Sequence, residues 1–265
     1  MDVIARLADL RAKLEPAEGH DPFGLERIDF RTGEGGVHVY YFGNSTADHY
    51  GELLDVLGSE PVSRQLMSLY FDCPDAGANG TWNWDLEPLT ASAAGFPVLR
   101  HFWIERGKPG EHNRKIVGHS YEEQGVIGRL AAKMPLLDTL VSPSAPAANF
   151  FDNRLAHLRY LAVDAGYDTQ GFIRNLAECE LNSLRAVEWG EYCETYMQDW
   201  RDHTTPFDDM LGLFQSKAFA GVKRMVLKNP VYSDEDIQRL LSVRPDLSLS
   251  IVRVSQAYVR PARVK

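Results

Sequence analysis

Short apolar triplets recur along the chain with one internal spacing. Large apolar residues take the first, fourth and sixth positions, as in Leu99-x-x-Phe102-x-Ile104 and Leu158-x-x-Leu161-x-Val163, and Ser142 is the one polar exception. The triplets begin at residues 37, 66, 99, 137, 158, 184, 222 and 249. Short apolar runs bounded by turn residues are typical of buried strands. The pattern therefore predicts eight strands distributed over most of the chain.

The intervals between triplets begin with turn residues and continue with helical spacing. Clusters of turn-forming residues follow several triplets, as at 43–45, 73–77 and 142–146. Apolar residues three or four apart then predict helices around residues 50–57, 126–130, 172–176, 210–214 and 237–241. Ser233-x-x-Asp236 resembles a capping box before the last helix. A strand, turn, helix and strand repeating about every 30 residues predicts a solenoid, whose units bury their apolar sides against each other.

The two ends of the chain depart from this pattern. Residues 3–14 have the spacing of an amphipathic helix, and residues 25–41 read as a hairpin around a Gly-rich turn at 32–36. We therefore predict a helix and hairpin cap over 1–36, a solenoid over 37–257 and a basic, disordered tail over 258–265. Three polar stretches at 75–84, 106–119 and 191–206 are predicted as long loops, the last two with short helices in or after them.

The repeated unit resembles the leucine-rich repeat family. Leu99–Ile104 and Leu158–Val163 match its L-x-x-L-x-L pattern, and the resemblance extends over residues 37–256. The Asn or Cys that the family places three residues after the last apolar position is absent here. The resemblance implies an α/β solenoid with parallel strands on a concave face and helices on a convex face. It also implies a scaffold that binds another protein on the concave sheet and adjoining loops.

Side chains between the apolar positions are expected to point out of the concave sheet. They read as aromatic and acidic in the first half, and as basic at Arg224, Lys228 and Arg253. Aromatic anchors with a polar rim are typical of protein interfaces. We therefore predict that a partner contacts Tyr41, Tyr70, Asp72, His101, Trp103, Glu105, Tyr160, Asp164, Glu188 and Glu191. The alternative is that the N-terminal helix or the long loops cover these aromatic residues as a second small core.

Charge and composition narrow the class of partner. Lys and Arg number 28 against 37 Asp and Glu, so the formal charge is -9. This balance argues against a general nucleic-acid binder and fits a cationic protein partner. No apolar run approaches the ~18–20 residues of a transmembrane helix, and the first residues lack the apolar core of a secretion signal. With only three Cys, we expect a cytoplasmic protein with ordinary buried thiols.

Motif searches point to no cofactor and no metal. The sequence has no Gly-Lys-Ser/Thr phosphate loop, no Rossmann glycine spacing, no His-Glu-x-x-His and no Cys pair spaced like a zinc knuckle. The preferred hypothesis is a non-enzymatic protein-binding scaffold, such as an inhibitor or immunity protein for a basic partner. The alternative is a hydrolase or metal-dependent enzyme that uses Asp164, Glu188 and His101. A self-associating structural protein is a third possibility, and the oligomeric state stays open.

Overall fold

The computed structural model of the chain describes residues 2–14, 26–118, 123–167, 169 and 171–261. In these ranges the helices are α1 (Val3–Leu14), α2 (Tyr50–Leu57), α3 (Glu60–Ser63), α4 (Glu87–Ala91), α5 (Val126–Ala131), α6 (Phe172–Glu178), α7 (Phe207–Gln215) and α8 (Asp234–Val243). The strands are β1 (Arg27–Gly33), β2 (Gly36–Phe42), β3 (Leu66–Asp72), β4 (Gly80–Trp84), β5 (His101–Ile104), β6 (Asn113–Val117), β7 (Thr139–Ser142), β8 (Tyr160–Asp164), β9 (Ala186–Gly190), β10 (Arg224–Lys228) and β11 (Ser248–Val252).

Nine of these strands form one sheet, in the order in which they occur along the chain. The order is β1-β2-β3-β5-β7-β8-β9-β10-β11. The hairpin β1–β2 is antiparallel, and every later pair in the sheet is parallel. The fold is thus α/β with a mostly parallel central sheet, as the sequence predicted. β4 and β6 form a separate parallel pair within two stretches that the sequence predicted as loops.

The helices lie in the connections and pack on one another in chain order. α1 contacts α2, α2 contacts α4 and α4 contacts α5, while α6, α7 and α8 contact one another in turn. Their apolar faces and the strand anchors form one buried core, which excludes water from one side of the sheet. The predicted capping box is present, since Ser233 Oγ accepts from Asp236 N at the start of α8. No helix in the described ranges has both the length and the apolarity needed to cross a bilayer.

The inward and outward side chains of β2 alternate one residue out of step with the prediction. Its buried residues are Val37, Val39 and Tyr41, and an irregularity between Val37 and His38 brings Tyr40 opposite Tyr70. Because successive side chains of a strand point to opposite faces, this phase places Tyr41 in the core. The predicted position of Tyr41 on the binding surface is therefore wrong, and Tyr40 occupies that position instead.

β11 shows the same kind of one-residue difference. Leu249 pairs with Met225 and Ile251 with Leu227, so Leu249 and Ile251 are the inward residues. The other face carries Ser248, Ser250 and Val252, whereas the sequence pattern placed Ile251 and Arg253 there. Arg253 lies beyond the end of the strand. The basic end of the sheet face therefore consists of Arg224 and Lys228 on β10 alone.

Candidate functional site

The sheet has a second face, turned away from the helices, which we call the open face. The parallel register aligns its side chains in two rows. One row is Tyr40, Tyr70, Trp103, Val141, Ala162, Glu188, Val226 and Ser250. The other is His38, Ser68, His101, Thr139, Tyr160, Ala186, Arg224 and Ser248. Five predicted contact residues lie in these rows: Tyr70, His101, Trp103, Tyr160 and Glu188.

The N-terminal part of the open face is aromatic. Tyr40, Tyr70 and Trp103 lie on adjacent strands and are half-buried, and the ring centroids of Tyr70 and Trp103 are 6.1 Å apart. We call these three residues, together with His38 and His101, the aromatic patch. A shallow groove of about 330 Å³ borders the patch beside Tyr40 and Tyr70. Because these strands are hydrogen-bonded to one another, the patch is held in one arrangement by the sheet.

The sequence reasoning missed His38, whose environment is defined by its neighbours on the open face. Its Nδ1 lies 2.8 Å from Ser68 Oγ on the next strand. Burial lowers the pKa of His38, and the charges of Arg31 and His101 act in the same direction. The predicted alternation of β2 was displaced by one residue, so it did not place His38 on the binding surface.

Residues 105–112, which we call the crossing segment, run from the end of β5 over the middle of the open face. Arg106 Nη2 donates to Glu188 Oε2 on β9 over 3.1 Å, and Lys228 Nζ on β10 donates to Gly107 O over 3.2 Å. β7 and β8 lie between β5, where the segment begins, and these contacts on β9 and β10, and their open-face residues Val141 and Ala162 are only 2% and 1% exposed. The crossing segment therefore covers the centre of the open face but leaves the aromatic patch half-exposed.

Three of the predicted acidic contact residues are paired within the chain. The pairs join Asp72 to Lys108 and Lys115, Asp164 to Arg106 and Lys228, and Glu188 to Arg106 and Arg224. Glu105 differs, because its carboxylate accepts the Trp103 indole N–H over 3.2 Å and has no ion pair within the described residues. The predicted acidic rim of the surface is therefore largely neutralised by the chain's own cations.

Glu191 lies inside the protein and not on the predicted contact surface. Its carboxylate accepts from Trp189 Nε1 over 3.1 Å, from Tyr192 N over 2.9 Å and from Thr205 N over 3.1 Å. Burial raises the pKa of Glu191 despite these donors. The carboxylate therefore ties the loop after β9 to the end of its own strand, and its predicted contact with a partner is wrong in position.

The residues of the enzymatic alternative do not converge on one point. Asp164 and Glu188 lie close together, but the guanidinium of Arg106 binds both of them. His101 lies on β5, three strand positions from β9, or about 14 Å at the usual strand spacing. Burial raises the pKa of Tyr160 to about 12, and the Glu188 carboxylate acts in the same direction. Among the residues that the structure describes, no group of three or more His, Cys, Asp or Glu side chains could hold a metal ion.

The three thiols are free and shielded. Cys73 and Cys193 are buried, and Cys179 is partly so. Burial raises the pKa to about 12 for Cys73 and Cys193 and to about 11 for Cys179. Because the thiolate is the reactive form, these cysteines are poor nucleophiles at neutral pH.

The aromatic patch is thus the part of the predicted site that remains accessible. Three of the predicted acids, Asp72, Asp164 and Glu188, are paired with cations of the chain, and the centre of the open face next to the patch is buried. Comparison with protein-family models, with curated proteins and with solved structures gives no significant match.

Proposed function

We propose that the chain is a degenerate solenoid of the leucine-rich-repeat type that acts as a non-enzymatic scaffold for another protein. The strand order supports this architecture, because each strand pairs with the next strand of the sheet along the chain. The helices support it as well, since they pack in the same sequential order. A stack of this kind leaves one sheet face free of helices, and scaffolds of this class use that face for binding.

The aromatic patch is the observation on which the binding function rests. Tyr and Trp dominate the energetics of protein interfaces, because each contributes a large apolar area with few rotatable bonds. Tyr40, Tyr70 and Trp103 present three such side chains in register on paired strands. Half-buried rings in this arrangement lose little conformational entropy on binding. A partner would therefore dock over β2, β3 and β5.

We further propose that the partner is cationic, as expected for an inhibitor or immunity protein directed at a basic protein. Asp72, Asp164 and Glu188 are paired with cations, so most of the excess negative charge lies elsewhere. Exposed acids without an ion pair in the described ranges occur on the helices, at Asp55, Glu178, Asp208 and Glu235. These charges would attract a basic partner over a distance, while the aromatic patch would make the contact.

A pull-down with matched variants tests the proposal. The wild-type chain, the double variant Tyr70→Ala/Trp103→Ala and the control Tyr196→Ala would each be immobilised and exposed to native lysate. Tyr196 is 56% exposed and lies outside the patch. We expect one retained protein to be lost from the double variant and kept by the control. Removal of one interfacial aromatic typically costs about 2 kcal/mol or more, so the affinity should fall at least ~30-fold.

Two results would contradict the proposal. If every retained protein bound the double variant with unchanged affinity, the aromatic patch would not be the binding surface. The cationic part has a separate test, since attraction between opposite charges weakens as ionic strength rises. An affinity that stayed constant between low and high salt would exclude a basic partner and leave the aromatic contact in place.

A further inference from the structure

The outer edge of β11 has no partner strand. β11 is the last strand of the sheet and pairs with β10 on one side. The chain then turns back over the ends of the other strands, where Val254 N donates to Asn229 Oδ1 and Arg260 N to Cys193 O. Within the described ranges, nothing pairs with the second side of β11.

The backbone of this edge offers a regular set of hydrogen-bonding groups. Ser248 N donates to Lys223 O over 3.0 Å, and Val252 O accepts from Asn229 N over 2.7 Å. These groups point toward β10. Because alternate residues of a parallel strand bond the same neighbour, Leu249 and Ile251 direct their N–H and C=O groups to the open edge.

The opposite edge of the sheet is protected, whereas β11 is not. β1 carries Arg27, Asp29 and Arg31 at alternate positions, and charges of this kind discourage pairing with another chain. The equivalent open-face positions of β11 hold Ser248, Ser250 and Val252. Val252 is 38% exposed, and only it and Tyr196 are exposed large apolar side chains in the described part of the chain.

We propose that two copies of the chain associate through β11, antiparallel about a two-fold axis at Ser250, and so form one continuous sheet. In this register Leu249 of each copy faces Ile251 of the other. Both residues have outward backbone groups, so each pair exchanges two hydrogen bonds. The apolar side chains of both copies remain on the core side, and Val252 of one copy faces Ser248 of the other. The edge is therefore complementary to itself.

Charged side chains flank β11 at both ends. Arg253 is exposed and has no ion pair within the described residues. In the antiparallel register it lies opposite Leu247 of the other copy, beside Asp246, which is 50% exposed and already pairs with Lys223 and Arg244 of its own copy. The register therefore rests on the backbone groups of the edge and not on these charges. A single strand edge buries less area than a standard interface, so dissociation should occur in the micromolar range.

This dimer uses a different surface from the proposed partner site and does not depend on it. The aromatic patch lies on β2, β3 and β5, toward the other end of the sheet from β11. A dimer would carry two such patches and could hold two partner sites at once.

Cross-linking of cysteine variants tests the two-fold register. In a dimer centred on residue 250, two Ser250→Cys side chains face each other at a non-hydrogen-bonded position, with Cβ atoms ~4.5–5.5 Å apart. Oxidised glutathione would accept the two electrons as the two thiols lose their protons and form a disulfide. Ser248→Cys is the matched control, because its two copies would lie ~14 Å apart. We expect a covalent dimer from Ser250→Cys only.

Sedimentation of charge variants provides a second test. Ser250→Glu and Ser250→Lys each place like charges opposite one another and should raise the dissociation constant about tenfold or more. An equimolar mixture of the two variants should recover the dimer. The proposal is overturned if the wild-type chain is monomeric at ~100 μM. It is also overturned if both cysteine variants cross-link equally, or if Ser250→Glu dimerises like the wild type.

Discussion

Arg106 Nη2 donates a 3.1 Å hydrogen bond to Glu188 Oε2, a residue 82 positions later in the chain. The same guanidinium lies 3.6 Å from Asp164 Oδ1. The three side chains are only 15%, 18% and 16% exposed. One cation thus bridges two largely buried carboxylates, which Lys228 and Arg224 also pair with from β10, and it fixes the crossing segment on the open face.

Substitution Arg106→Met should destabilise the fold by about 3 kcal/mol, because it leaves two largely buried anions with fewer partners. The matched control is Arg64→Met, since the pair of Arg64 with Glu60 is 68% exposed on both sides. A pair of that kind contributes at most about 1 kcal/mol. Urea unfolding of both variants measures the difference. Equal, small losses would show that Arg106 does not hold the crossing segment.

The phase of β2 is tested by two neighbouring tyrosines. Tyr41 is fully buried, and its hydroxyl donates to Glu26 Oε1 over 2.7 Å, so Tyr41→Ala should cost about 3–5 kcal/mol of unfolding free energy. Tyr40→Ala removes a half-buried ring from the open face and should cost below about 1 kcal/mol. Denaturant titration compares the two. The reverse order of losses would mean that β2 has the phase predicted by the apolar triplet.

The backbone at Gly190, at the end of β9, leaves no space for a side chain. A Cβ at this position would lie 1.9 Å from Asp164 Oδ1, so Gly190→Ala must displace the carboxylate that binds Arg106. We expect a loss of about 1–3 kcal/mol. Gly212 on α7 has open space around its Cβ position, and Gly212→Ala should stabilise the fold by up to ~1 kcal/mol. Thermal unfolding of the two variants should shift in opposite directions.

His38 should make stability depend on pH below neutrality. Burial lowers its pKa in the folded state from 6.5, so the unfolded chain binds the proton more readily. The part of the unfolding free energy that depends on neutral His38 is therefore fully present above pH 6.5 and is lost as the pH falls toward the folded pKa. The midpoint temperature of thermal unfolding can be measured between pH 5 and 7.5, on both sides of the ~6.5 reference pKa. It should change less with pH in His38→Gln than in the wild-type chain. The exposed His157→Gln is the control, and equal slopes in both variants would contradict the assignment.

The sequence predicted the strands where several weak signals agreed. The triplets beginning at Leu99, Leu158 and Val222 each overlap a strand of the sheet, because their apolar residues face a core built from consecutive units. The prediction of which residues face the core was displaced by one residue in β2 and β11. In β2, apolar or aromatic residues occupy nearly every position from Val37 to Phe42, so composition alone could not identify the inward set.

The site was predictable only in part, and the reason is electrostatic. Tyr70 and Trp103 follow from the alternation of their strands, which depends on neighbouring residues. The pairing of Arg106 with Glu188, or of Lys228 with Gly107, depends on groups more than 80 residues apart and leaves no periodic signal. Asp72, Asp164 and Glu188 therefore looked unpaired in the sequence, although cations of the crossing segment, β6 and β10 pair with them in the structure.

The crossing segment also bears on how the protein unfolds. In a sheet whose strands follow chain order, most contacts join sequence neighbours, and such a stack can lose its units one after another from either end. The crossing segment adds ties from β5 to β9, to β10 and, through Gly110 N and Ser255 O, to the C-terminal region. Fraying of the last strands must break these ties. The C-terminal half should therefore lose its hydrogen-exchange protection in a single cooperative step.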